Sequence, residues 1–591
     1  MAKRKLYALA IILLFQQTIY GNIFDYIEKN QIYNDPIWHS LLHLKNNEPQ
    51  INTPTFLLSY KNFNPKNELY ATVSNFLNNK KSICKYPARY YWLEEKLSHM
   101  KFSLPKKECN EFNTYIHKTN PQSIDIVFSS EDIKNPSSMM GHVFFKLNGI
   151  EDNQTRQNTV SFYTVIDTVN IPWLVIKSTM IGMKGYFILS PYKQQVHNNL
   201  YNENRSIWEY RLNLSQKQIN LITYHFWELK DIDIKYLFTG FNCATIVDNI
   251  LKLGSLQYSQ STDLWITPKD VIKKINTSNL VKYSKLRPTI EWELYMFNDI
   301  FDESKLNYLM SLVNSNRVQN INTVNLTDLE KSFILVYVKY LYVIEKSISY
   351  DYYLKIHTQI DSLNLKDIEI INAKNPIDSV NDSQLTLGYN YTDSYTTLQF
   401  LPASSTLYDN HKGTFSEKTL EIGKIKLKLK NKKISIDNFT LYNMESIIPR
   451  KKPMNAISKS FIFAYKQDYI QTEKSLEHLL EIKGGLGVSY LVHEDLIVYS
   501  FLNLKINSYK KQLDPFISFI VGTNIYEIFN NKSVIQFEHF QNIETNKNYN
   551  SISINQSIFI KKDYRFDINY KSIQENDFSN EILNFNLTFY L

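Results

Sequence analysis

Cysteine, glycine and proline are scarce in this chain, with 3, 14 and 17 residues respectively among 591. The low glycine and proline counts, against 42 tyrosines and 34 phenylalanines, indicate a folded and strongly aromatic protein rather than a disordered one. A local concentration of charge of one sign is also missing, because the net charge of +8 is spread along the sequence. No basic patch with interleaved aromatic residues occurs, so we expect no nucleic-acid partner. No apolar run reaches the roughly 20 residues that a membrane-spanning helix needs.

Residues 1–22 have the composition of a secretory signal peptide. A basic start at residues 3–5 precedes an apolar stretch at 6–15, and the small Gly21 offers a cleavage point. The alternative is an N-terminal anchor that is not cleaved. No cysteine follows the apolar stretch directly, so we expect that the protein is not itself lipid-modified there.

A chain of 591 residues should hold several domains, because single hydrophobic cores stop growing at about 250 to 300 residues. The period of the apolar residues changes twice, from helical spacing to alternation near Ser123 and back after Thr267-Pro268, a signal for a helix start. The predicted class is therefore a multidomain α+β protein with an all-β C-terminal part. The predicted segments are a signal peptide at 1–22, an N-terminal helical region at 23–115, an α+β catalytic domain at 116–270, a second helical region at 271–378 and an antiparallel β-barrel at 379–591.

Beyond Asp382 apolar residues alternate with polar ones in run after run. The last run contains Phe585, Leu587 and Phe589 and reaches the final residue, Leu591. About twelve strands of roughly ten residues, joined by polar turns, are typical of a transmembrane β-barrel. A soluble β-sandwich is the alternative, since it is also built from alternating strands. The sequence leaves open the strand number and whether a pore passes through the barrel.

Export gives the three cysteines a particular meaning, because an oxidising compartment pairs thiols that can meet. Cys84 and Cys109 lie in one helical segment, and a disulfide between them would stabilise the fold by about 3 kcal/mol. This pairing leaves Cys243 as a free thiol. A Cys84–Cys243 bridge, or no bridge at all, is the alternative.

Cys243 and His142 have the local settings of a thiol-imidazole pair. Ile246 and Ile250 follow Cys243 at helical spacing, so the thiol should lie in the first turn of a helix, where N–H groups stabilise negative charge. His142 opens a short apolar strand at 143–147 after a glycine turn. We expect a helix start or a nearby imidazole to lower the thiol pKa from its usual value of about 8.5. The alternative is a buried, inert cysteine and a structurally satisfied histidine.

The remaining polar residues near the two motifs give weaker indications. A third group usually orients the imidazole in such sites, and the candidates on the next strand are Ser161, Tyr163 and Thr164. His197 lies in a polar loop and His225 in an amphipathic helix, so we expect surface roles for both. We expect no metal and no cofactor.

Several short motifs occur together along the first half of the chain. They are Trp38-x-x-Leu41-Leu42-His43, Cys84-x-Tyr86-Pro87-Ala88-Arg89-Tyr90, Pro136-x-Ser138-x-x-Gly141-His142, Gly182-x-x-Gly185-Tyr186, Tyr201 followed by Arg205-x-x-Trp208-Glu209-Tyr210-x-Leu212, and Phe241-Asn242-Cys243. Together these motifs resemble the periplasmic domain of the bacterial lipoprotein N-acyltransferase family called Lnb, over about residues 30 to 270. The order His before Cys, with Asn-Cys at a helix start, also resembles the circularly permuted papain-like relatives typified by lecithin–retinol acyltransferase.

The Lnb resemblance implies roles for four residues. Cys243 would be the nucleophile and His142 the base, with Ser138 and Asn242 as supporting neighbours. Ser138 is equally suited to capping the turn before the strand, and Asn242 to capping the helix. Met140 stands where an aromatic residue is common in such motifs.

The resemblance also implies an activity and a location. The protein would be an envelope acyltransferase of a Gram-negative bacterium, in the periplasm and held in the outer membrane by its barrel. Its partners would be a lipid acyl donor and the N-terminus of a lipoprotein, joined through a thioester at Cys243. Two alternatives remain, a cysteine peptidase or amidase that cleaves peptidoglycan stem peptides, and an outer-membrane protein that binds a partner without catalysis.

Overall fold

The structure is a computed structural model, and it places two compact units. The predicted signal peptide and Ser138 lie outside the residues that it describes. One unit contains the described residues of 23–130, 141–199 and 207–287, and the other those of 200–206 and 288–591. The described residues are 23–98, 104–130, 141–151, 153–164, 173, 177–238, 240–255, 257–258, 265–315, 325–361, 363, 373–470, 475–510, 512–527, 529–575 and 578–591.

A seven-stranded antiparallel sheet organises the first unit. The chain first forms a small hairpin of β1 (Leu44–Lys45) and β2 (Glu48–Pro49). The sheet strands are β3 (Pro121–Ser129), β4 (His142–Glu151), β5 (Gln154–Thr164), β6 (Met183–Pro191), β7 (Ile207–Leu212), β8 (Ile234–Tyr236) and β9 (Val281–Arg287). Their order across the sheet is β8-β6-β5-β4-β3-β7-β9. The strands predicted from alternation around Ile126, His142, Phe187 and Trp208 are all present.

A helical segment at 23–29 begins the described chain, and further helices surround this sheet. They are α1 (Pro36–Leu41), α2 (Pro65–Asn78), α3 (Ser82–Lys85), α4 (Pro87–Lys96), α5 (Asn110–Thr119), α6 (Tyr192–His197), α7 (Gln216–Leu229), α8 (Cys243–Gly254) and α9 (Pro268–Thr277). Local chemistry sets several starts: Ser215 and Thr267 each form a capping box, and Pro268 occupies the first position of α9. The Cys84–Cys109 disulfide is present, with the two Cα atoms 5.3 Å apart.

One part of the region predicted to be helical is a strand. Val281–Arg287 forms β9, which pairs with β7 along Ile207 to Leu212. The prediction of continuous helix over 271–378 is wrong here, because a segment that pairs with an existing sheet satisfies its backbone groups there whatever its local periodicity. The unit that contains the catalytic candidates therefore extends to residue 287.

Four helices begin the second unit: α10 (Ile290–Ile300), α11 (Glu303–Asn314), α12 (Asp328–Val343) and α13 (Tyr350–Asp361). They share a hydrophobic core that includes Leu294, Phe297, Leu309 and Phe333, all fully buried. The apolar stretch at 333–344 is thus part of a core helix. No helix in the described parts of the chain is both long enough and apolar enough to cross a membrane.

The C-terminal region is a closed antiparallel barrel of 12 strands. Its ring closes because β10 pairs with β22 and β11 pairs with β13. The short β12 (Ala403–Ser405) pairs with β13 beside this ring. The ring strands are β10 (Gln384–Asn390), β11 (Tyr395–Leu401), β13 (Glu417–Lys430), β14 (Lys433–Ile447), β15 (Ser458–Ile470), β16 (Ser475–His493), β17 (Leu496–Tyr509), β18 (Gln512–Glu527), β19 (Asn531–Asn542), β20 (Asn548–Lys561), β21 (Tyr564–Glu575) and β22 (Phe578–Tyr590).

The barrel reverses the usual distribution of polar and apolar residues. Along β17, Leu502 and Leu504 are exposed, whereas Asn503, Lys505 and Asn507 are buried. Because neighbouring side chains of a strand point to opposite faces, the apolar ones lie outside and the polar ones inside. The exterior carries many exposed apolar side chains, among them Leu387, Leu398, Phe400, Ile425, Leu429, Phe461, Ile482, Phe519, Val521, Phe537, Ile552 and Ile554.

Residues 406–416, called the lumen segment below, pass from β12 to β13 through the barrel interior. Lys532 on β19 is fully buried, and its ammonium donates to the carbonyl oxygens of Leu407 at 2.6 Å and Asp409 at 2.9 Å. The Asp409 carboxylate pairs with Arg565 and accepts a hydrogen bond from Tyr590. These contacts fasten the lumen segment to the inner wall at the end where the chain enters β10.

Candidate thiol active site

Asn242 fixes the start of the helix that carries Cys243. Its side-chain oxygen accepts a hydrogen bond from the Thr245 N–H at 2.9 Å, which makes Asn242 the N-cap and Cys243 the first residue of α8. Its amide nitrogen donates to the carbonyl oxygens of Phe238 and Ile266 at 3.1 and 3.3 Å. The structure thus gives Asn242 the capping role that the sequence had left beside a catalytic one.

Cys243 is the chain's free cysteine, and its side chain is buried. Hydrogen bonding from the Val143 N–H, the Tyr236 hydroxyl and the backbone N–H groups of Ala244 and Cys243 acts to lower the pKa of its thiol. Burial raises the pKa of the Cys243 thiol above its usual value, and these donors oppose the rise without reversing it. The expectation that the thiol pKa is lowered is therefore wrong, because the cost of burying a thiolate outweighs the effects of the helix start and the donors.

Tyr236 brings a hydroxyl to the sulfur from the far edge of the sheet. It lies on β8, and burial together with the neighbouring Cys243 raises the pKa of its phenol well above the usual value. The hydroxyl therefore stays protonated and remains a donor. Its ring lies 5.5 Å from that of Phe162 on β5, which in turn contacts Phe241. Sequence reasoning missed Tyr236, and only its position seven residues before Cys243 hints at a shared site.

The opening between β4 and β5 explains how the sulfur reaches a strand N–H. The ladder between these strands begins at the Phe145–Val160 pair, although β4 starts at His142 and β5 runs on to Thr164. Since a strand N–H lies in the plane of its sheet, a sulfur bound to the Val143 N–H lies at the level of the sheet. Cys243, on the helix, thus lies next to Val143, the second residue of β4.

His142 lies beside this opening, one residue before Val143. Its ring stacks on Tyr163, with centroids 4.8 Å apart and planes at 25°, and lies 5.6 Å from the ring of Phe144. Alternation along β4 and β5 puts these rings on the sheet face opposite Phe162. The structure therefore connects the sulfur with the Val143 backbone and places the His142 imidazole against Tyr163 and Phe144.

The residues proposed to orient the imidazole occupy different positions. Tyr163 contacts it through ring stacking and donates its hydroxyl to Gln195 at 3.2 Å. Ser161 is buried, and its hydroxyl has no hydrogen-bond partner within the described part of the chain. Thr164 donates to the carbonyl oxygen of Lys184. Tyr163 is thus the one of the three with a described contact to the His142 ring.

Gly141 explains the Gly-His pair at the start of β4. Its φ is +84°, a left-handed conformation that favours glycine. A Cβ atom at this position would lie 2.8 Å from both the Phe128 ring and the Ser129 carbonyl oxygen. A side chain here would therefore displace the turn that delivers His142.

A buried polar chain runs behind the site. The Nε2 atoms of His43 and His225 are 2.8 Å apart, and His225 Nδ1 lies 3.1 Å from the Glu228 carboxylate. Glu228 also accepts the Arg89 N–H, and the Arg89 guanidinium pairs with Glu68 at 2.7 Å. All five side chains are fully or nearly fully buried. This chain connects the N-terminal helices to α7 in the interior of the unit.

The prediction of a surface role for His225 is wrong, whereas His197 is exposed as expected. His225 is buried because it lies on the inward face of α7, where His43 and Glu228 supply the hydrogen bonds that a buried imidazole requires. Burial, followed by the charge of His225, lowers the pKa of His43 well below its usual value. The His43 ring lies 6.2 Å from that of Phe241, two residues before Cys243.

The free thiol, its donors and the helix cap lie within one sequence family. Residues 111–278 match the family described as Lnb N-terminal periplasmic domain. Residues 111–278 are thus similar to the Lnb periplasmic domain. Residues 30–96 and 373–590 match two separate families, each described as a domain of unknown function (DUF7843 and DUF7840). The upstream motifs from Trp38 to Tyr90 thus belong to a different family from the Lnb domain that they contact.

No curated protein matches the chain. Among solved structures, the NanC porin shares 8% identity over 35% of this chain and 100% of its own, with a TM-score of 0.25. The KdgM porin in complex with disordered oligogalacturonate shares 8% over 35% of this chain and 98% of its own, with a TM-score of 0.22. A loop-deletion form of OmpT, an outer membrane protein of Vibrio cholerae, shares 8% over 35% and 97%, with a TM-score of 0.18.

The described side chains around the Lnb domain form no evident metal centre. No three histidine, cysteine, aspartate or glutamate residues among those described are grouped so that they hold a metal ion. The chemistry available at Cys243 is that of a buried thiol near several hydrogen-bond donors. Such a site can form and release an acyl thioester.

Proposed function

We propose that the protein is a thiol-dependent acyltransferase of the Gram-negative envelope that acylates the N-terminus of lipoproteins. The observation that supports this most directly is the Cys243 sulfur, free and buried in the Lnb domain, with the Val143 N–H and the Tyr236 hydroxyl as donors. The other two cysteines are joined in a disulfide, so a single thiol is left for chemistry.

In the first half-reaction the Cys243 thiol loses its proton to the His142 imidazole and attacks the carbonyl carbon of a lipid ester. The carbonyl oxygen becomes negative, and the donors around the sulfur are the groups suited to stabilise it. The ester bond then breaks, the leaving alcohol takes the proton from His142, and a thioester remains on Cys243. Because burial raises the thiol pKa, we expect proton transfer to accompany the attack rather than precede it.

In the second half-reaction an α-amino group attacks the thioester carbonyl. The carbon–sulfur bond breaks, the thiolate recovers a proton through His142, and an amide is formed. The acceptor that the Lnb domain suggests is the N-terminal cysteine of a lipoprotein. His142 performs both proton transfers from the opening between β4 and β5, so its ring must approach the sulfur past the start of β4.

The barrel would hold this chemistry at a lipid surface. Its exterior is apolar and its interior polar, and closure leaves no edge strand unpaired in the ring. The family of the periplasmic domain and the closed barrel agree with the location expected from the sequence, the periplasm and outer membrane. A tether of this kind raises the effective concentration of both lipid and lipoprotein at the thiol.

The test is acyl transfer by full-length protein in mixed micelles that contain a phospholipid with a fluorescent acyl chain and a purified lipoprotein with a free N-terminus. We expect labelled lipoprotein with the unaltered protein and none with Cys243→Ala or His142→Ala. Both variants should still fold into the heat-resistant barrel. Release of stem-peptide fragments from purified sacculi, without lipoprotein labelling, would replace this proposal with a peptidoglycan hydrolase.

A further inference from the structure

The two edges of the sheet in the first unit are built differently. The β9 edge carries Lys282, Lys285 and Arg287, the charged residues that commonly prevent an edge strand from pairing with another chain. The opposite edge is formed by β6 and the three-residue β8. Residues 186–189 of β6 are Tyr-Phe-Ile-Leu, with no charge among them.

The outer side of β6 is open along most of its length. β8 pairs only with Met183, Lys184 and Gly185, whereas β5 pairs with β6 from Gly185 to Pro191. Within the described residues, no strand pairs with the outer side of residues 186–190. Tyr186 and Leu189 are exposed, and the two residues between them are half-buried. An uncharged apolar edge whose outer side pairs with no described strand is a template for one more strand.

The open edge continues the line of β8, the strand that carries Tyr236. Because strand residues are about 3.3 Å apart, Ile234 at the near end of the open edge is roughly 7 Å from Tyr236, whose hydroxyl contacts the Cys243 sulfur. A chain added along 186–190 would therefore end beside Ile234, at the start of β8. The amino end of the added chain is directed towards the Cys243 sulfur only if the chain runs parallel to β6. About two residues before its paired segment would then remain to reach the sulfur.

We propose that residues 186–190 of β6 bind the acceptor polypeptide as an added parallel strand, with its N-terminus directed towards Cys243. The inference rests on the proposed acyl transfer, since it assigns the place where the acceptor docks. The backbone N–H and C=O groups of the edge select an extended polypeptide over a lipid, and the lack of charge selects an uncharged segment. About positions three to seven of the acceptor pair with the edge.

The test uses full-length protein in micelles with two synthetic acceptors that begin with an S-alkylated cysteine, one of about two residues and one of about twelve uncharged residues. We expect the longer peptide to have a KM at least about tenfold lower than the shorter one. Backbone N-methylation of alternate positions from three to seven should abolish that advantage, and methylation of positions nine and eleven should not. Methyl groups remove donors without changing side chains.

Matched variants separate the edge from general damage. Leu189→Lys and Tyr186→Lys should raise the KM of the long acceptor about tenfold and leave that of the short one unchanged. Ile150→Lys is the control, because Ile150 lies on the same sheet and is 48% exposed, against 49% for Leu189. It should change neither value. Equal KM values for the two peptides with unaltered protein, or no effect of methylation at three to seven, would overturn the proposal while acyl transfer stands.

A binding measurement keeps the proposal testable if transfer itself fails. In Cys243→Ala, the long peptide should slow hydrogen exchange of the amides of residues 186–190, and the peptide methylated at three to seven should not. Slowed exchange without any acyl transfer would refute the proposed function and retain the docking edge. Unchanged exchange would refute the edge. Loss of binding to phosphatidylglycerol vesicles in the edge variants, with the KM values unchanged, would instead assign this surface to the membrane.

Discussion

Replacing Asn242 by alanine should loosen the start of the helix that carries Cys243. The substitution removes the acceptor for the buried Thr245 N–H and the donor for the carbonyl oxygens of Phe238 and Ile266. Losing an N-cap side chain costs about 1 kcal/mol, within a range of about 0.5 to 2 kcal/mol. The two carbonyl groups add to this, since a buried group left without its partner costs roughly 1 kcal/mol or more. We expect local opening of α8 to become easier by about 1.5 to 2.5 kcal/mol.

Asn242→Ser separates capping from the other contacts. A serine hydroxyl also accepts from the N–H three residues on, so it restores the cap, but it reaches neither Phe238 nor Ile266 as the longer amide does. We expect this variant to recover about half of the loss. The order of local stability should therefore be asparagine, serine, alanine.

The assay is labelling of the single free thiol under native conditions. Cys243 is 7% exposed and the other two cysteines form a disulfide, so a small thiol reagent reacts only when the start of α8 opens. Each 1.4 kcal/mol corresponds to a tenfold change in the opening equilibrium. Asn242→Ala should be labelled about 10 to 60 times faster than the unaltered protein, with the thiol pKa of each variant measured separately to correct for its thiolate fraction.

One combination of results would refute this reasoning. If Asn242→Ala is labelled at the rate of the unaltered protein and yet loses acyl transfer, then Asn242 takes part in the chemistry and its capping bond contributes little. Equal labelling of the serine and alanine variants would show that the hydrogen bond to Thr245 is not what holds the helix start.

Three further predictions concern other parts of the molecule. Tyr236→Phe removes one donor to the Cys243 sulfur, so the thiol pKa should rise further, as measured by the pH profile of alkylation. Thioester formation should slow by about 10²- to 10³-fold, as measured by single-turnover acylation. Because the pKa of His43 is lowered in the folded protein, the unfolded chain binds more protons than the folded one at pH values below about 6.5. The folding stability of the first unit should therefore fall by about 1.4 kcal/mol between pH 7.5 and pH 5.5. His43→Asn should remove this pH dependence, as measured by hydrogen exchange. The unaltered barrel should conduct no ions in planar bilayers. Lys532→Met breaks a buried ion pair with Glu417, at a cost of about 3 to 5 kcal/mol. This variant should release the lumen segment and produce channel openings.

Local chemistry made much of the fold predictable. Thr267 before a proline predicted a helix start, and the structure has a capping box there. The alternation of apolar and polar residues predicted a barrel of about twelve strands, and the ring has 12. Both signals lie within a few neighbouring residues, which is why a single sequence contains them.

Features that depend on distant contacts were not predictable. β9 forms because β7 offers a free edge about seventy residues earlier in the chain, and nothing within Val281–Arg287 specifies that partner. His225 is buried because His43 and Glu228 form hydrogen bonds with its imidazole. The pattern of its own helix shows only that one face is apolar. The lumen segment has the composition of an ordinary loop, since its path is set by Lys532 and Arg565 on remote strands.

The site was predictable in its residues more than in its electrostatics. The motifs proposed Cys243 and His142 as site residues, and the predicted local structure, with Cys243 at a helix start and His142 at a strand start, is present. The direction of the thiol pKa was missed, because it depends on how deeply the sulfur is buried and not on its place in the helix. Tyr236 was missed because a residue on a three-residue strand has no periodic signature.

The most direct test of the central claim is the intact mass of the protein after incubation with phospholipid vesicles and no acceptor. The account predicts that the full-length chain gains the mass of one acyl group on residue 243, that hydroxylamine removes it, and that Cys243→Ala gains none. An unchanged mass under conditions where lipoprotein is acylated, or an equal gain in Cys243→Ala, would contradict it.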